Sequence, residues 1–173
     1  MRNSKILAFF IVFFSLGLSA FFASAEAMQL ASSAFENGAT IPVQYTCDGQ
    51  NTHPPVSFVD VPKNTQSLVL IAHDPDAPAG DWTHWTLWDI PGATQQIAEN
   101  EMPKGAVTGM NSFAQTGYGG PCPPSGQWHH YAFDAYALDT SPILSNQNTR
   151  QELLHEMQPH ILAQAELVGL YGR

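Results

Sequence analysis

The pattern of apolar and polar positions along the chain predicts a protein built mainly from short β-strands. Ser67–Ala72 is a continuous apolar run of strand length between turn signals, which indicates a central strand buried on both faces. Alternation predicts further strands over His84–Ile90 and His130–Leu138. Turn-rich segments separate these runs, as is typical of a compact β protein.

Side-chain parity within the predicted strands assigns residues to faces. Alternation places His84, Thr86 and Trp88 on one face of the second strand. In the third strand, His129 and Tyr131 point the same way. Both histidines stand where an apolar strand meets a loop rich in glycine and proline.

The two ends of residues 28–173 differ in their predicted secondary structure. Met28–Ser33 and Thr40–Thr46 are predicted to form an opening hairpin around a turn. Near the other end, Thr149 and Glu152 match a capping box, so a helix is predicted there. A second short helix over His160–Ala165 and a last strand over Leu167–Tyr171 complete the prediction.

The first 25 residues have the layout of a secretory signal peptide. Arg2 and Lys5 precede the apolar stretch Ile6–Phe14, and small residues follow at a cleavage site after Ala25 or Ala27. The alternative is an uncleaved membrane anchor. Cleavage would leave one domain over residues 28–173 in the periplasm or the secreted fraction, with no stable membrane anchor.

The composition supports the prediction of one mostly β domain and argues against two classes of binding partner. The 173 residues are 44% hydrophobic and 12% charged, with 13 glycines and 13 prolines, as expected for one loop-rich, mostly β domain. Without residues 1–25, four basic residues remain against fifteen acidic ones, a net charge of −11. Nucleic acid is therefore excluded as a partner, and an anionic membrane surface is disfavoured.

Cys47 and Cys122 are the two cysteines of the chain. An even count in an oxidising compartment favours one disulfide bond. Two free buried thiols or two soft metal ligands remain as alternatives.

The stretch Asp74–Pro78 is a stiff acidic turn. Asp74 and Asp76 flank Pro75, and Pro78 restricts the exit from the turn. Asp74 could accept a hydrogen bond from a cationic or hydroxyl group of a ligand, or it could orient a histidine. The structural alternative is an Asx-type turn cap.

His84 and His129 are candidates for binding an anion. An imidazole is a natural donor to phosphate, sulfate or carboxylate oxygens, although a single histidine at such a place is usually structural. Gly119 and Gly120 would let backbone amides approach the same ligand.

Three competing chemistries have weaker support. Zinc could take Asp74, His84 and His129, but no short-spaced ligand motif occurs. A serine hydrolase would need a G-x-S-x-G elbow, which is absent. Cys122 with His129 as base is conceivable, but a disulfide would consume the thiol. The enzymatic alternative is therefore a hydrolase or isomerase that uses the histidines as acid and base on a small phosphorylated or acyl substrate.

Several motifs together resemble those of a known family. They are DPDAP at Asp74–Pro78, WTHW at Trp82–Trp85, and GGPCPPSG at Gly119–Gly126 followed by HHY at His129–Tyr131. In combination they resemble the phosphatidylethanolamine-binding protein family, in its bacterial branch of Raf-kinase-inhibitor-like proteins. The chain departs from the family at His130, where an arginine is usual, and at His53-Pro54, where many relatives have Ser-Pro.

The resemblance implies a fold and a binding pocket. The fold would be a central antiparallel sheet packed on a second, smaller sheet, with short helices near the C-terminus. The residues implied at the pocket are Asp74, His84 and His129, with walls from Asp76, Trp82, Gly120, Pro121 and Tyr131. The implied ligand is a phosphate or phosphoethanolamine-like anion, without metal or organic cofactor. Some family members modulate kinases or other signalling proteins, so we expect a non-enzymatic binding protein with a regulatory or inhibitory role and an unidentified protein target.

Overall fold

The computed structural model describes residues 27–173, so the predicted signal peptide lies outside the described residues. Two antiparallel sheets and one α-helix form the domain. The strands are β1 (Gln29–Ala31), β2 (Val56–Val59), β3 (Ser67–Asp74), β4 (Trp82–Pro91), β5 (Gln96–Ile97), β6 (Val107–Thr108), β7 (Trp128–Leu138) and β8 (Ile161–Gly172), and the helix is α1 (Arg150–Met157). The small sheet has the order β1-β2-β5, and the large sheet has the order β6-β4-β3-β7-β8. This is the mostly β fold expected from the sequence.

Strand β3 is the centre of the large sheet. All eight of its residues are buried, as its continuous apolar run predicts, and it pairs with β4 on one side and β7 on the other. Its Leu70 packs in the core between the two sheets, and its Ile71 packs in a second core beneath α1. The domain therefore has three layers, in the order small sheet, large sheet and helix. Within residues 27–173, no helix is long and apolar enough to cross a membrane.

A β-bulge in β4 corrects the predicted facing of His84. Ala72 pairs with Trp85 and His73 pairs with Thr83, so His84 is the extra residue between them. The His84 ring packs edge-on against Tyr131 of the inter-sheet core, whereas Trp88 lies in the core under α1. His84 and Trp88 thus do not share a face, because the bulge breaks the alternation of β4.

The predicted opening hairpin is wrong. Strand β1 pairs with β2, and the segment predicted as its partner contains a short 3-10 helix over Val43–Tyr45. Ile41 and Tyr45 are buried while Val43 is 53% exposed, which is a spacing of four rather than two. The spacing of these apolar residues therefore fits a helical turn and not a strand.

At the C-terminal end one helix is confirmed and one is wrong. Thr149 and Glu152 form the predicted capping box at the start of α1, and Leu153 and Met157 are buried. The second helix was predicted over His160–Ala165, but His160 ends a 3-10 turn at Gln158–His160 and the remaining residues are the first part of β8. Pairing with β7 along its whole length overrides the local preference of this segment.

Candidate functional site

The acidic turn, the start of β4 and the glycine–proline loop before β7 meet at one cavity of about 270 Å³. Its polar lining comes from Asp74, His84 and His129, and its apolar lining is larger. The apolar lining residues are Ala77, Pro78, Ala79, Trp82, Phe113, Pro123 and Pro124, with Cys122 beside them. Of the residues that the sequence suggested for the pocket, Asp74, His84, His129 and Trp82 line this cavity together.

Asp74 and His129 form a buried pair. The Nδ1–H group of His129 donates to Oδ2 of Asp74 at 2.7 Å, and both side chains are about 95% buried. The other carboxylate oxygen of Asp74 accepts from the Asp76 amide at 2.9 Å. Asp74 therefore caps the turn and also orients His129. From the sequence alone, these two roles were alternatives.

His84 has a defined tautomer. Its Nδ1 lies 2.6 Å from the carbonyl oxygen of Gly119, so Nδ1 must carry the hydrogen that is donated. Burial lowers the pKa of His84, which favours the neutral ring. The Nε2 atom is then the nitrogen that is free to meet a ligand, and in the neutral state it is an acceptor.

The glycine loop does not present its amides to the cavity, which corrects the expectation for Gly119 and Gly120. The Gly119 amide donates to the His84 carbonyl at 2.9 Å, and the Gly120 amide donates to Oδ1 of Asn51 at 2.7 Å. Close packing explains the glycines. A Cβ on Gly119 would lie 2.7 Å from the Phe113 ring, and one on Gly120 would lie 2.5 Å from the backbone oxygen of Tyr45.

Three other residues predicted at the pocket wall lie outside the cavity lining. The carboxylate of Asp76 accepts from the amide and the ring of His130, at 2.8 and 2.7 Å, and so joins the acidic turn to β7. The His130 amide and ring also hold the pKa of Asp76 below its usual value. Pro121 uses its carbonyl to accept from the Cys47 amide. Tyr131 supports the site from beneath, in ring contact with both His84 and His129.

Sequence reasoning missed Phe113, which lies in the long connection before the glycine loop. Its ring contacts Trp82 and His84 edge-on, at centroid distances of 5.5 and 5.4 Å. It remains 40% exposed at the cavity. No periodic signal surrounds Phe113 in the sequence, so only an exposed aromatic in a loop could have suggested it.

Cys47 and Cys122 form a disulfide bond, with 5.4 Å between their Cα atoms. Cys122 also lines the cavity. The bond ties the 3-10 segment near Tyr45 to the loop before β7. The thiol proposed in the catalytic alternative is consumed by this bond, and free-thiol and metal-ligand alternatives are removed with it.

An ionic network lies on the other face of β3, directly behind the site. His73 contacts Asp81 at 2.6 Å and Asp134 at 3.1 Å, and Arg150 of α1 contacts Asp81 at 2.6 Å. Burial by itself opposes protonation of His73, but the two carboxylates raise its pKa above the ordinary value. Asp74 begins the turn and Asp81 ends it. The contacts of Asp81 with His73 and Arg150 therefore hold the end of the turn against β3 and α1.

The zinc alternative has no geometric support. Among residues 27–173, no group of three His, Cys, Asp or Glu side chains is arranged to hold a metal ion. The Nδ1 atoms of His84 and His129 are both engaged by protein oxygens.

The fold and this cavity define a small two-sheet β protein with a partly polar cavity at the end of its central strand. The family model described as phosphatidylethanolamine-binding protein matches residues 31–172. The chain therefore belongs to the phosphatidylethanolamine-binding protein family, and this membership supports ligand binding as its general function.

Individual relatives agree with this assignment. A UPF0098 protein of Archaeoglobus fulgidus is 43% identical, over 98% of this chain and 62% of the relative, so this chain spans less than two thirds of that protein. A crystal structure of a phosphatidylethanolamine-binding protein homologue from Chlamydia trachomatis is similar with a TM-score of 0.81 and 43% identity, over 85% of this chain and 98% of that one. Escherichia coli YbcL, described as a new member of the mammalian family, is similar with a TM-score of 0.81 and 30% identity, over 86% of this chain and 99% of that one.

Proposed function

We propose that this protein is an exported, non-enzymatic binding protein that takes a small ligand with a phosphoryl or carboxyl head group, and that it has a regulatory or inhibitory role. The observation that carries the proposal is the pair of oriented histidines, His84 and His129, in one largely apolar cavity. Export to the periplasm or beyond is supported by the signal-like layout of residues 1–25.

The head group would meet the two imidazoles. The Nδ1 atom of His129 stays hydrogen-bonded to Asp74, and its Nε2 lies 3.2 Å from the side-chain oxygen Oε1 of Gln127, a contact that a ligand oxygen can replace. His84 offers Nε2 while its Nδ1 stays on Gly119. An anion favours the charged imidazole, so binding would be accompanied by proton uptake at His84. The apolar part of the ligand would lie against Trp82 and the prolines.

Two properties favour binding over catalysis. Cys122 is engaged in the disulfide bond and is not a nucleophile. Among residues 27–173, neither His84 nor His129 hydrogen-bonds to a serine or threonine hydroxyl that it could activate as a nucleophile. Because the net charge is strongly negative, selection of an anion would depend on this local geometry rather than on long-range attraction.

Calorimetric titration with phosphoethanolamine tests the proposal. We expect saturable binding to the unmodified protein and loss of at least about tenfold in affinity in the His84→Ala/His129→Ala variant. The matched control is His155→Ala/His160→Ala, which removes two histidines outside the cavity lining. Equal affinity in all three proteins would show that the anion is not bound here.

A screen with generic ester and phosphate substrates tests the enzymatic alternative. We expect no turnover above that of the double variant. Turnover that disappears with His129→Ala would overturn the non-enzymatic part of the proposal.

A further inference from the structure

The disulfide bond joins two surface loops of the domain. Residues 47–50 are all exposed, and Cys122 is exposed in the loop before β7. Exposed disulfides are the ones that an attacking thiol can reach. Cys47 and Cys122 are the only cysteines of the chain, so a thiol that opens the bond must come from another molecule.

The guanidinium group of Arg173 lies against this bond. Its Nη1 atom is 3.1 Å from Sγ of Cys122 and 3.6 Å from Sγ of Cys47. Its Nε atom lies 3.5 Å from Oδ2 of Asp48, and the same oxygen accepts from the Tyr171 hydroxyl at 2.7 Å. Tyr171 and Asp48 therefore hold the guanidinium beside the two sulfur atoms.

The cation favours one direction of opening. A disulfide sulfur is neutral and only a weak acceptor, but the sulfur that leaves during exchange becomes a thiolate, which a neighbouring guanidinium stabilises. Arg173 is closer to Cys122 than to Cys47. Asp48, which follows Cys47 in the chain, disfavours a negative charge at Cys47. Because a stabilised thiolate leaves faster, Cys122 is the favoured leaving group.

We propose that the Cys47–Cys122 bond is a thiol–disulfide exchange site for a low-molecular-weight thiol, and that it opens in this one direction. The thiolate of the small molecule attacks Sγ of Cys47 and forms a new S–S bond there. The Cys47–Cys122 bond breaks, and its electron pair leaves on Cys122 as a thiolate beside Arg173. One disulfide replaces another, so the step needs no further oxidant or reductant.

The direction determines which group faces the ligand cavity. The cavity lining includes Cys122 but not Cys47. Opening in the proposed direction therefore exposes a free thiolate at the cavity wall and leaves the small molecule on the other loop. The hydrogen bond from the Cys47 amide to the Pro121 carbonyl still joins the two loops. Attack by the Cys122 thiolate on the new bond closes the site again.

2-Mercaptoethanol is a suitable probe, because it is small and carries no charge besides that of the reacting thiolate. The folded protein is treated for short times, free thiols are trapped with N-ethylmaleimide, and peptide mass spectrometry locates both groups. We expect the mercaptoethanol on Cys47 and the maleimide on Cys122, with a preference of at least about threefold over the reverse arrangement.

Three variants test the role of the cation. Arg173→Gln removes it, and Lys63→Gln is the matched control, because it changes the net charge equally at an exposed position in the turn after β2. We expect Arg173→Gln to slow the opening about threefold to tenfold and to lose the preference, and Lys63→Gln to do neither. Arg173→Lys keeps the charge and should keep most of the rate and the preference.

Three results would overturn the proposal. They are an equal division of the mercaptoethanol between the two cysteines, equal opening rates in Arg173→Gln and Lys63→Gln, and an opening rate that rises with urea as steeply as unfolding does. The last would show that the bond opens only in the unfolded chain. If Arg173→Gln does not fold, the position of the adduct and the urea dependence in the unmodified protein still decide the question. None of these measurements uses phosphoethanolamine, so loss of the head-group proposal would leave them unaffected.

Discussion

Removal of the disulfide bond should lower stability greatly and change ligand binding little. The variant is Cys47→Ser/Cys122→Ser, which avoids leaving one free thiol. The bond closes a loop with a sequence separation of 75. In the chain-entropy model, a loop of this length corresponds to about 4.5 kcal/mol at 25 °C, which is an upper figure because the unfolded chain keeps some structure.

The cavity should survive because other contacts join the same two segments. The Cys47 amide donates to the Pro121 carbonyl at 3.1 Å, and the Gly120 amide donates to Asn51 at 2.7 Å. These hydrogen bonds do not depend on the sulfur atoms. We therefore expect the affinity for phosphoethanolamine to change by less than about fivefold, which corresponds to roughly 1 kcal/mol.

Urea unfolding followed by tryptophan fluorescence measures the first effect, and calorimetry on the folded variant measures the second. A loss of about 4 kcal/mol should lower the urea midpoint by roughly 2 M. The unmodified protein with added reductant serves as a second form of the same perturbation. A change in unfolding free energy below about 1.5 kcal/mol would refute the loop-entropy reasoning, and a collapse of affinity in the folded variant would refute the role given to the backbone contacts.

Two further predictions concern the glycine loop and the proton at His84. Gly120→Ala should lower the unfolding free energy by about 1–3 kcal/mol, because the added Cβ would meet fixed backbone. Gly119→Ala should destabilise the protein less and mainly weaken ligand binding, because its Cβ would meet the Phe113 ring, which can move. Equal destabilisation in urea unfolding would contradict this contrast. Burial lowers the pKa of His84 in the free protein and a bound anion raises it, so phosphoethanolamine affinity should fall as pH rises from about 5 to about 8. Calorimetry in buffers of different ionisation enthalpy measures the proton uptake, and an unchanged uptake in His84→Gln would assign the proton to another group.

The sequence predicted best those features in which local pattern and tertiary environment agree. The run Ser67–Ala72 is apolar throughout, and such a run is stable only inside a sheet covered on both faces. The Thr149 capping box works through contacts within one turn, so it requires no knowledge of the rest of the fold. The motifs around Asp74 and His129 located the cavity because each lies at the end of a long strand.

The failures arose where partners distant in sequence decide the conformation. The bulge at His84 arises from the way β4 pairs with β3, and no residue type within β4 indicates it in the sequence. The segment after His160 becomes a strand because β7 offers it a complete row of backbone partners. The amides of Gly119 and Gly120 were expected at the ligand because glycine permits a close approach. Here the close approach is made to the protein's own chain.

The ionic network behind β3 gives the cavity a sensitivity that its own lining would not suggest. The turn from Asp74 to Asp81 supplies Ala77, Pro78 and Ala79 to the cavity, and its far end is held by His73 and Arg150 on the opposite side of the sheet. Dissolved salt weakens such partly exposed ion pairs. We therefore expect ionic strength to affect the width of the cavity from the rear of the sheet, through a turn whose lining residues Ala77, Pro78 and Ala79 carry no charge. The contact of Arg150 with Asp81 thus links the position of α1 to the wall of the cavity.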